Sequence, residues 1–254
     1  MSLEYQNKIN RLLVSGTKNG LFFSEWLKQN GYSDQLINKY RKSGWLTSLD
    51  KGVMYRTGDT LSAFAALSCY NKQLNKHIRI AAHSALELFG FNHYVPMGKP
   101  VLMVAHSNLN VPKWMRSDCF DKTIKPFGTK MIDIPQTSKI QVEGVDLLVS
   151  SPEQAFMECL LLSPAHYSYM DLYYIMEQLT SLRAYIVQTL LETVKNLRVK
   201  RMFLYMAEKA GHYWYDMLEM DKIDIGTSKL QLVDNGTYIS KYKITIPKEL
   251  NEYE

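Results

Sequence analysis

Apolar residues in the first 45 positions recur at helical spacing, and each run is closed by glycine or asparagine. Tyr5, Ile9, Leu12 and Leu13 fall at i, i+4, i+7 and i+8, one face of an amphipathic helix ended by Gly16 and Gly20. After the apolar lead-in Leu21, Phe22 and Phe23, Ser24 is placed to cap a second helix that buries Trp26 and Leu27, and Asn30-Gly31 stops it. Ser33 caps a third helix, Asp34 to Lys42. There Leu36, Ile37 and Tyr40 face inward, Gln35, Asn38 and Lys42 form the opposite stripe, and Gly44 ends the run. The pattern then becomes strand-like over Trp45 to Leu49 and Val53 to Arg56. Between them Asp50-Lys51-Gly52 reads as a three-residue loop with glycine available for a positive φ. Helix, helix, turn, helix, hairpin predicts a winged helix-turn-helix over residues 1–59, with Thr57-Gly58-Asp59 as the junction.

Beyond the junction the pattern predicts an α+β body over residues 60–254. Thr60 is placed to cap the alanine-rich helix LSAFAALSCY, Ile78-Arg79-Ile80 reads as a short strand, and SALELFG as a short helix closed by Gly90. VLMVAHS, MIDI and QVEGVDLLVSS have strand character, the last with Glu143-Gly144 as its turn. From residue 151 helices take over, which offers a subdivision near 150 into a strand-rich and a helix-rich part. Ser151, Pro152 and Gln154 fit an N-cap, a first-turn proline and a capping box for EQAFMECLLL. Ser168 starts another helix, and the long run from Thr180 to Ala210 supplies one or two more. KLQLVDNGTYISKYKITI alternates around Asn235-Gly236, which predicts a closing hairpin.

A chain of 254 residues with 46% hydrophobic and 22% charged positions buries a core without staples, so disorder as the main state is excluded. No run approaches the roughly 20 apolar residues of a membrane span, and the first residues lack the apolar stretch of a secretory signal, so a cytoplasmic location is expected. Cys69, Cys119 and Cys159 lie too far apart for a local metal knuckle and are expected to be buried. Charge changes the picture most. Residues 1–60 hold nine Lys and Arg against five Asp and Glu, whereas the remainder holds 21 against 20. A small basic module followed by a near-neutral body makes nucleic acid the first partner to consider.

Base edges in the major groove require polar side chains on an outward helix face, with cations nearby for phosphates. Gln35 and Asn38 are suited to a base edge, Lys39, Arg41 and Lys42 to the DNA backbone, and Lys51 and Arg56 place charge on the wing. The competing readings are a protein-docking fold and a merely solvated basic face. Of the six histidines, 77, 83, 93, 106, 166 and 212, none lies in an HExxH-type pair, and His83 and His93 are expected to pack. Asp133, Glu143 and Asp146 lie in a strand-rich stretch that a metal-dependent nuclease could use, but their spacing is generic, and no GxxxxGK or GxGxxG occurs. The sequence therefore predicts no catalytic residue, no metal and no cofactor. Lys195, Arg198, Lys200 and Arg201 crowd one helical stretch whose polar side is basic. That side is either solvated or faces DNA phosphates or an acidic partner.

The run WLKQNGYSDQLINKYRKSGWL, followed by KGVMYRTGD, resembles the winged module of AbiEi-type antitoxins of type IV, abortive-infection toxin–antitoxin systems. The resemblance continues through HSALELFGFNHYVPMGKP, VPKWM, SSPEQAFMECLLL, LRVKRMFLYMAEKAGHYWYDML and YKITIP, close to the full chain. The family's last domain often carries a Lys-Arg pair after a glycine, whereas here Lys229 precedes Leu230. The resemblance implies a winged module that binds inverted repeats of its own promoter and represses the operon. It also implies a body that counteracts a nucleotidyltransferase-like toxin without an assumed stable complex. Arg198, Lys200, Arg201, His212, Trp214 and Lys229 fall in the family-like motifs of that body and are its candidate antitoxin residues. No membrane partner is expected, and the protein is expected to be a monomer in solution. The alternatives are a ligand-responsive winged-helix regulator without a toxin and a DNA-processing enzyme.

Overall fold

A computed structural model describes residues 3–91, 98–106 and 111–253, with side chains from residue 8 onward. His93 lies outside the described residues. The fold is mixed α+β and divides into two compact units between which the chain passes repeatedly. The first comprises residues 1–79, 96–128 and 139–148, and the second 80–95, 129–138 and 149–254.

The first unit begins α1 (Leu3–Ser15), β1 (Phe22–Phe23), α2 (Ser24–Gln29), α3 (Asp34–Lys42), β2 (Leu46–Asp50) and β3 (Val53–Arg56). These strands form an antiparallel sheet in the order β1-β3-β2, with Phe22 opposite Met54 and Leu46 opposite Arg56. Ile9 and Leu12 of α1, Leu27 of α2, Leu36, Ile37 and Tyr40 of α3, and Leu46 and Met54 of the sheet share one apolar core. This is the winged helix-turn-helix that the pattern predicts. Two details differ. Phe23, not Ser24, is the N-cap of α2, and its ring has no acceptor to offer the helix; the Ser24 amide donates to the Gly52 carbonyl at 2.9 Å. Trp26 is only half buried, whereas Leu27 is fully so. The helix α4 (Ala63–Leu74) follows, capped by Ser62 accepting from the Ala65 amide rather than by Thr60.

The remaining elements are β4 (Arg79–Ile80), α5 (Ala82–Leu88), β5 (Val101–His106), β6 (Thr123–Gly128), β7 (Thr137–Val142), β8 (Val145–Ser150), α6 (Pro152–Leu162), α7 (Tyr169–Gln178), α8 (Ala184–Thr193), α9 (Leu197–Lys209), β9 (Leu230–Gln231), β10 (Thr237–Ile239), β11 (Ile244–Ile246) and α10 (Lys248–Glu252). The larger sheet runs β6-β5-β4-β8-β7, with β5 parallel to β6 from Val101 opposite Thr123 to His106 opposite Gly128. β6 has no counterpart in the sequence reading, since its Pro126 argues against a strand. At the sheet edge, however, the missing N–H costs nothing. Glu143 and Gly144 both take positive φ, 50° and 79°, as the turn joining β7 to β8 demands.

Three expectations for the body are corrected. MIDI is not a strand: Met131 and Ile132 are buried, but the Met131 carbonyl accepts the Lys195 amide instead of joining a ladder. Asn235-Gly236 does not close a hairpin, because β9 pairs in parallel with β11, and β11 pairs antiparallel with β10. Cys119 is exposed, whereas Cys69 and Cys159 are buried as expected.

At the centre of the second unit lies α6, where Gln154 through Cys159 are all fully buried although two are polar. Their polar atoms are satisfied. Glu158 accepts from the Ala82 amide at 3.0 Å, Ser150 Oγ at 3.2 Å and Gln154 Nε2 at 2.7 Å, while Gln154 Oε1 accepts the Gln136 amide. Ser151 caps α6 from Gln154 N, but the Gln154 side chain is spent on these bonds instead of completing the capping box. Burial pushes the Glu153 carboxyl up, yet the Arg183 guanidinium and amide bonded to it prevail and hold it below the ordinary carboxylate value. A carboxyl depressed in the folded state contributes stability above its unfolded pKa and loses it as pH falls through the folded one. We therefore expect the wild type to lose more stability between neutral pH and pH 3 than an Arg183→Met variant does. Urea titrations at both pH values check this, and equal losses would remove Glu153 from the acid response.

Candidate nucleic-acid interface

Ser33 Oγ accepts from the Leu36 amide at 3.3 Å and fixes the start of α3, with Asp34 in its first turn and Lys39, Arg41 and Lys42 in its last. That placement suits the helix dipole at both ends. With Leu36, Ile37 and Tyr40 packed inward, Gln35, Asn38, Lys39, Arg41 and Lys42 are all exposed, as the stripe predicts. Arg41 Nη1 lies 3.4 Å from Asn38 Oδ1, which links the base-reading candidate to a cation one turn on. At the start of the same helix, Lys28 pairs with Asp34 at 2.9 Å across two exposed side chains.

Lys51 is exposed at the wing tip beside Gly52. Gly52 is held at φ 71°, and a Cβ there would lie 2.7 Å from Ser24 Oγ, so conformation and space both call for glycine. Arg56 departs from its expected role. Its Nη2 donates to the Leu13 carbonyl near the end of α1, its Nε has no hydrogen-bond partner among the described residues, and the side chain is only half exposed. It braces α1 against β3 rather than extending charge from the wing.

Basic character does not stop at residue 60. The first unit holds 18 Lys and Arg against 9 Asp and Glu, a net of +9, and the second holds 12 against 16, a net of −4. Read linearly, the chain after residue 60 looks neutral because it alternates between a basic unit and an acidic one. The cations missed by that reading, including Lys99, Lys113, Arg116, Lys122 and Lys125, carry no local motif.

The candidate antitoxin residues are placed differently from a basic solvent-facing stripe. Arg201 is fully buried and donates through Nε to the Ile225 carbonyl at 2.7 Å and through Nη1 to Ser228 and Lys243 carbonyls at 2.8 and 2.9 Å. Lys200 is buried, and desolvation pushes its ammonium below the ordinary lysine value against the pull of Asp224. Arg198 is half buried and donates to the Leu161 and Ser163 carbonyls at the end of α6. His212 Nε2 lies 2.6 Å from the Met176 carbonyl, and Trp214 Nε1 donates to the Leu179 carbonyl at 2.9 Å, both side chains buried. Only Lys229 is exposed, its ammonium 5.2 Å from the Tyr238 ring centroid. Lys195, the exposed member of the basic stretch, pairs with Asp133 at 2.9 Å.

Of the acidic residues considered for a metal, Asp133 pairs with Lys195 and Asp146 with Lys72 at 2.9 Å, and Glu143 is exposed in the turn between β7 and β8. Among the described residues no group of three or more His, Cys, Asp or Glu is arranged to hold a metal ion. His83 Nδ1 lies 2.6 Å from the Tyr167 hydroxyl. Among the same residues no helix is long and apolar enough to cross a membrane.

Two family profiles match in tandem. Residues 5–97 match "Transcriptional regulator, AbiEi antitoxin N-terminal domain", and residues 98–247 match "Transcriptional regulator, AbiEi antitoxin, Type IV TA system". No curated protein matches the chain. Among solved structures it is similar to the RV2827C protein from Mycobacterium tuberculosis, with a TM-score of 0.61 at 14% identity over 96% of this chain and 92% of that one. At that identity the likeness is one of fold.

Proposed function

Because the chain belongs to the AbiEi antitoxin family of transcriptional regulators of type IV toxin–antitoxin systems, we propose that it represses its own operon and antagonises a nucleotidyltransferase-like toxin. Residues 1–59 bind inverted repeats in the promoter, and residues 60–254 carry the antitoxin role. The observation that carries the DNA reading is the exposed stripe of Gln35, Asn38 and Lys42 on an otherwise packed α3, flanked by Lys39, Arg41 and the wing-tip Lys51. The protein acts in the cytoplasm as a monomer, needs no cofactor and turns nothing over. Magnesium-dependent cleavage of DNA or RNA that is lost on Asp133→Asn or Asp146→Asn would overturn the last point.

In the antitoxin role Lys229 is the candidate that meets solvent. Arg198, Lys200, Arg201, His212 and Trp214 serve it by holding the second unit in shape.

Operator titration by fluorescence anisotropy at several salt concentrations tests the DNA reading. Asn38→Ala is expected to reduce the preference for operator over random DNA by about 1–3 kcal/mol, one base contact's worth. Lys42→Ala and Lys51→Ala are expected to weaken both DNAs alike and to lower the salt slope by roughly one each. Undiminished operator affinity in a combined Gln35→Ala, Asn38→Ala, Lys42→Ala variant would place DNA binding elsewhere.

A further inference from the structure

The first unit carries a cleft that neither the DNA-binding nor the antitoxin role uses. It lies between the C-terminal end of α4 and the β7–β8 hairpin, and every residue lining it belongs to that unit. Its volume of about 570 Å³ falls within the roughly 300–1,000 Å³ usual for small-molecule sites. One wall is the loop Asn75-Lys76-His77, and Asn71 of α4 clasps it. The Asn71 carbonyl accepts the Lys76 amide at 3.2 Å, its Nδ2 donates to the Ile78 carbonyl at 2.6 Å, and its Oδ1 accepts the Ile78 amide at 3.0 Å. Asn75 turns the chain at a φ of 49°. Lys76 and His77 are thus exposed on a loop that is pinned at both ends. The other wall is Lys139 and the half-buried Ile140 of β7, with Asp146 and the half-buried Leu148 of β8.

The charge of this cleft suits an anion. Lys72, Lys76 and Lys139 line it against Asp146 alone. Lys72 pairs with Asp146 at 2.9 Å, an exposed pair that costs little to open, and it stands in the last turn of α4, where it offsets the helix dipole. Lys76 and Lys139 have no such occupation: neither ammonium meets a hydrogen-bond or ion-pair partner among the described residues. Cations gathered around one concavity repel each other and focus their field into it, and an anion that bridges them relieves the repulsion. Adjacent phosphates bring several charges together, which matches several ammonium groups acting as point charges. The His77 imidazole adds a ring N–H donor. We propose that the cleft binds a chain of two or three phosphates, free or carried on a nucleotide whose base and ribose rest on Ile140 and Leu148. It is a ligand site independent of the operator and antitoxin readings, and its failure leaves both standing.

Isothermal titration of the full-length protein with sodium ATP and with sodium pyrophosphate, in magnesium-free buffer, tests the proposal. Two variants empty the cleft of charge, one combining Lys76→Ala with Lys139→Ala and the other carrying Lys139→Glu alone. A control combines Lys113→Ala with Lys125→Ala, which removes as much charge from exposed positions of the same unit that do not line the cleft. All four lysines are exposed, so thermal melting should stay at the wild-type value. Both cleft variants are expected to bind at least tenfold more weakly than the wild type, while the control binds as the wild type does and operator affinity in the cleft variants is unchanged. Tighter binding of ATP than of pyrophosphate would identify a nucleotide as the source of the phosphates, and equal binding an inorganic chain. No binding of either probe at millimolar concentration, wild-type binding in the cleft variants, or an equal loss in the control would overturn the site. Cleft variants that lose affinity for operator and random DNA alike would overturn it too, by assigning these lysines to DNA phosphates.

Discussion

Replacing Arg201 with alanine is expected to destabilise the second unit by about 3–5 kcal/mol, because buried carbonyls lose a charged donor and a large buried side chain leaves a cavity. The guanidinium ties α9 to the loop through Ile225 and Ser228 and to Lys243 at the entry to β11. Without it the Ile225 and Ser228 carbonyls lose this donor, each at about 1–3 kcal/mol if left dry, while the Lys243 carbonyl keeps the Leu230 amide at 2.9 Å. Its seat is specific. Gly226 sits at φ 70°, and a Cβ there would lie 2.7 Å from Leu197 Cδ1 and 3.2 Å from Arg201 Nη2. Arg201→Lys keeps the charge but not the fork that reaches several carbonyls, so it should recover only part of the loss. Lys229→Ala, on an exposed side chain, should stay within about 0.5 kcal/mol of wild type. Urea unfolding of the three variants gives the comparison. An Arg201→Ala protein as stable as wild type yet unable to neutralise toxin would return this arginine to a direct functional role.

Why a sequence reading takes Arg201 for a surface cation is a matter of range. The stretch 195–201 crowds four cations together, and a crowd of charge suggests a solvated side without saying what covers it. Val199 through Ala207 are all buried, so α9 has almost no solvated side along that length, and the carbonyls that replace water come from residues 24 to 42 positions away. The winged module is legible for the opposite reason. Ser33, Gly44 and Gly52 act on their immediate neighbours, and each states locally where an element starts or stops. Asn235-Gly236 shows the limit of such signals. Asn235 does take a positive φ of 55°, but which strands pair is decided by β11, which lies beyond that turn. The division of charge into +9 and −4 was hidden because the chain changes unit several times, and no linear window isolates either.

The same interleaving bears on how the two proposed roles can be separated. A fragment starting at residue 60 is expected to keep the second unit folded and to lose order in what remains of the first, residues 60–79, 96–128 and 139–148. Across the cut, the Asn19 carbonyl accepts the Ser62 amide at 3.0 Å. Gln73 brackets the turn before α2, accepting from the Phe23 amide at 3.0 Å and donating to the Leu21 carbonyl at 2.8 Å. The Phe23 ring stands 5.4 Å from Tyr70 and 5.9 Å from Trp114, and Gly20 passes so close to Cys69 Sγ that a Cβ would lie 2.7 Å away. Removing Leu21, Phe22 and Phe23 uncovers α4 and Trp114, and with each large apolar side chain worth about 1.5–3 kcal/mol of burial, the remnant loses more than a small unit can spare. Hydrogen exchange should therefore find α4 and β5 unprotected in the fragment and α6 and α9 protected as in the whole chain. Full protection of α4 would show that the first 59 residues are dispensable to the rest, and a simple cut would then suffice. With α4 unprotected, failure of the fragment to rescue cells would reflect lost structure, so the roles must be separated by substitution. The Gln35→Ala, Asn38→Ala, Lys42→Ala protein leaves every packed residue of α3 in place, and it should rescue from the toxin while no longer repressing the promoter.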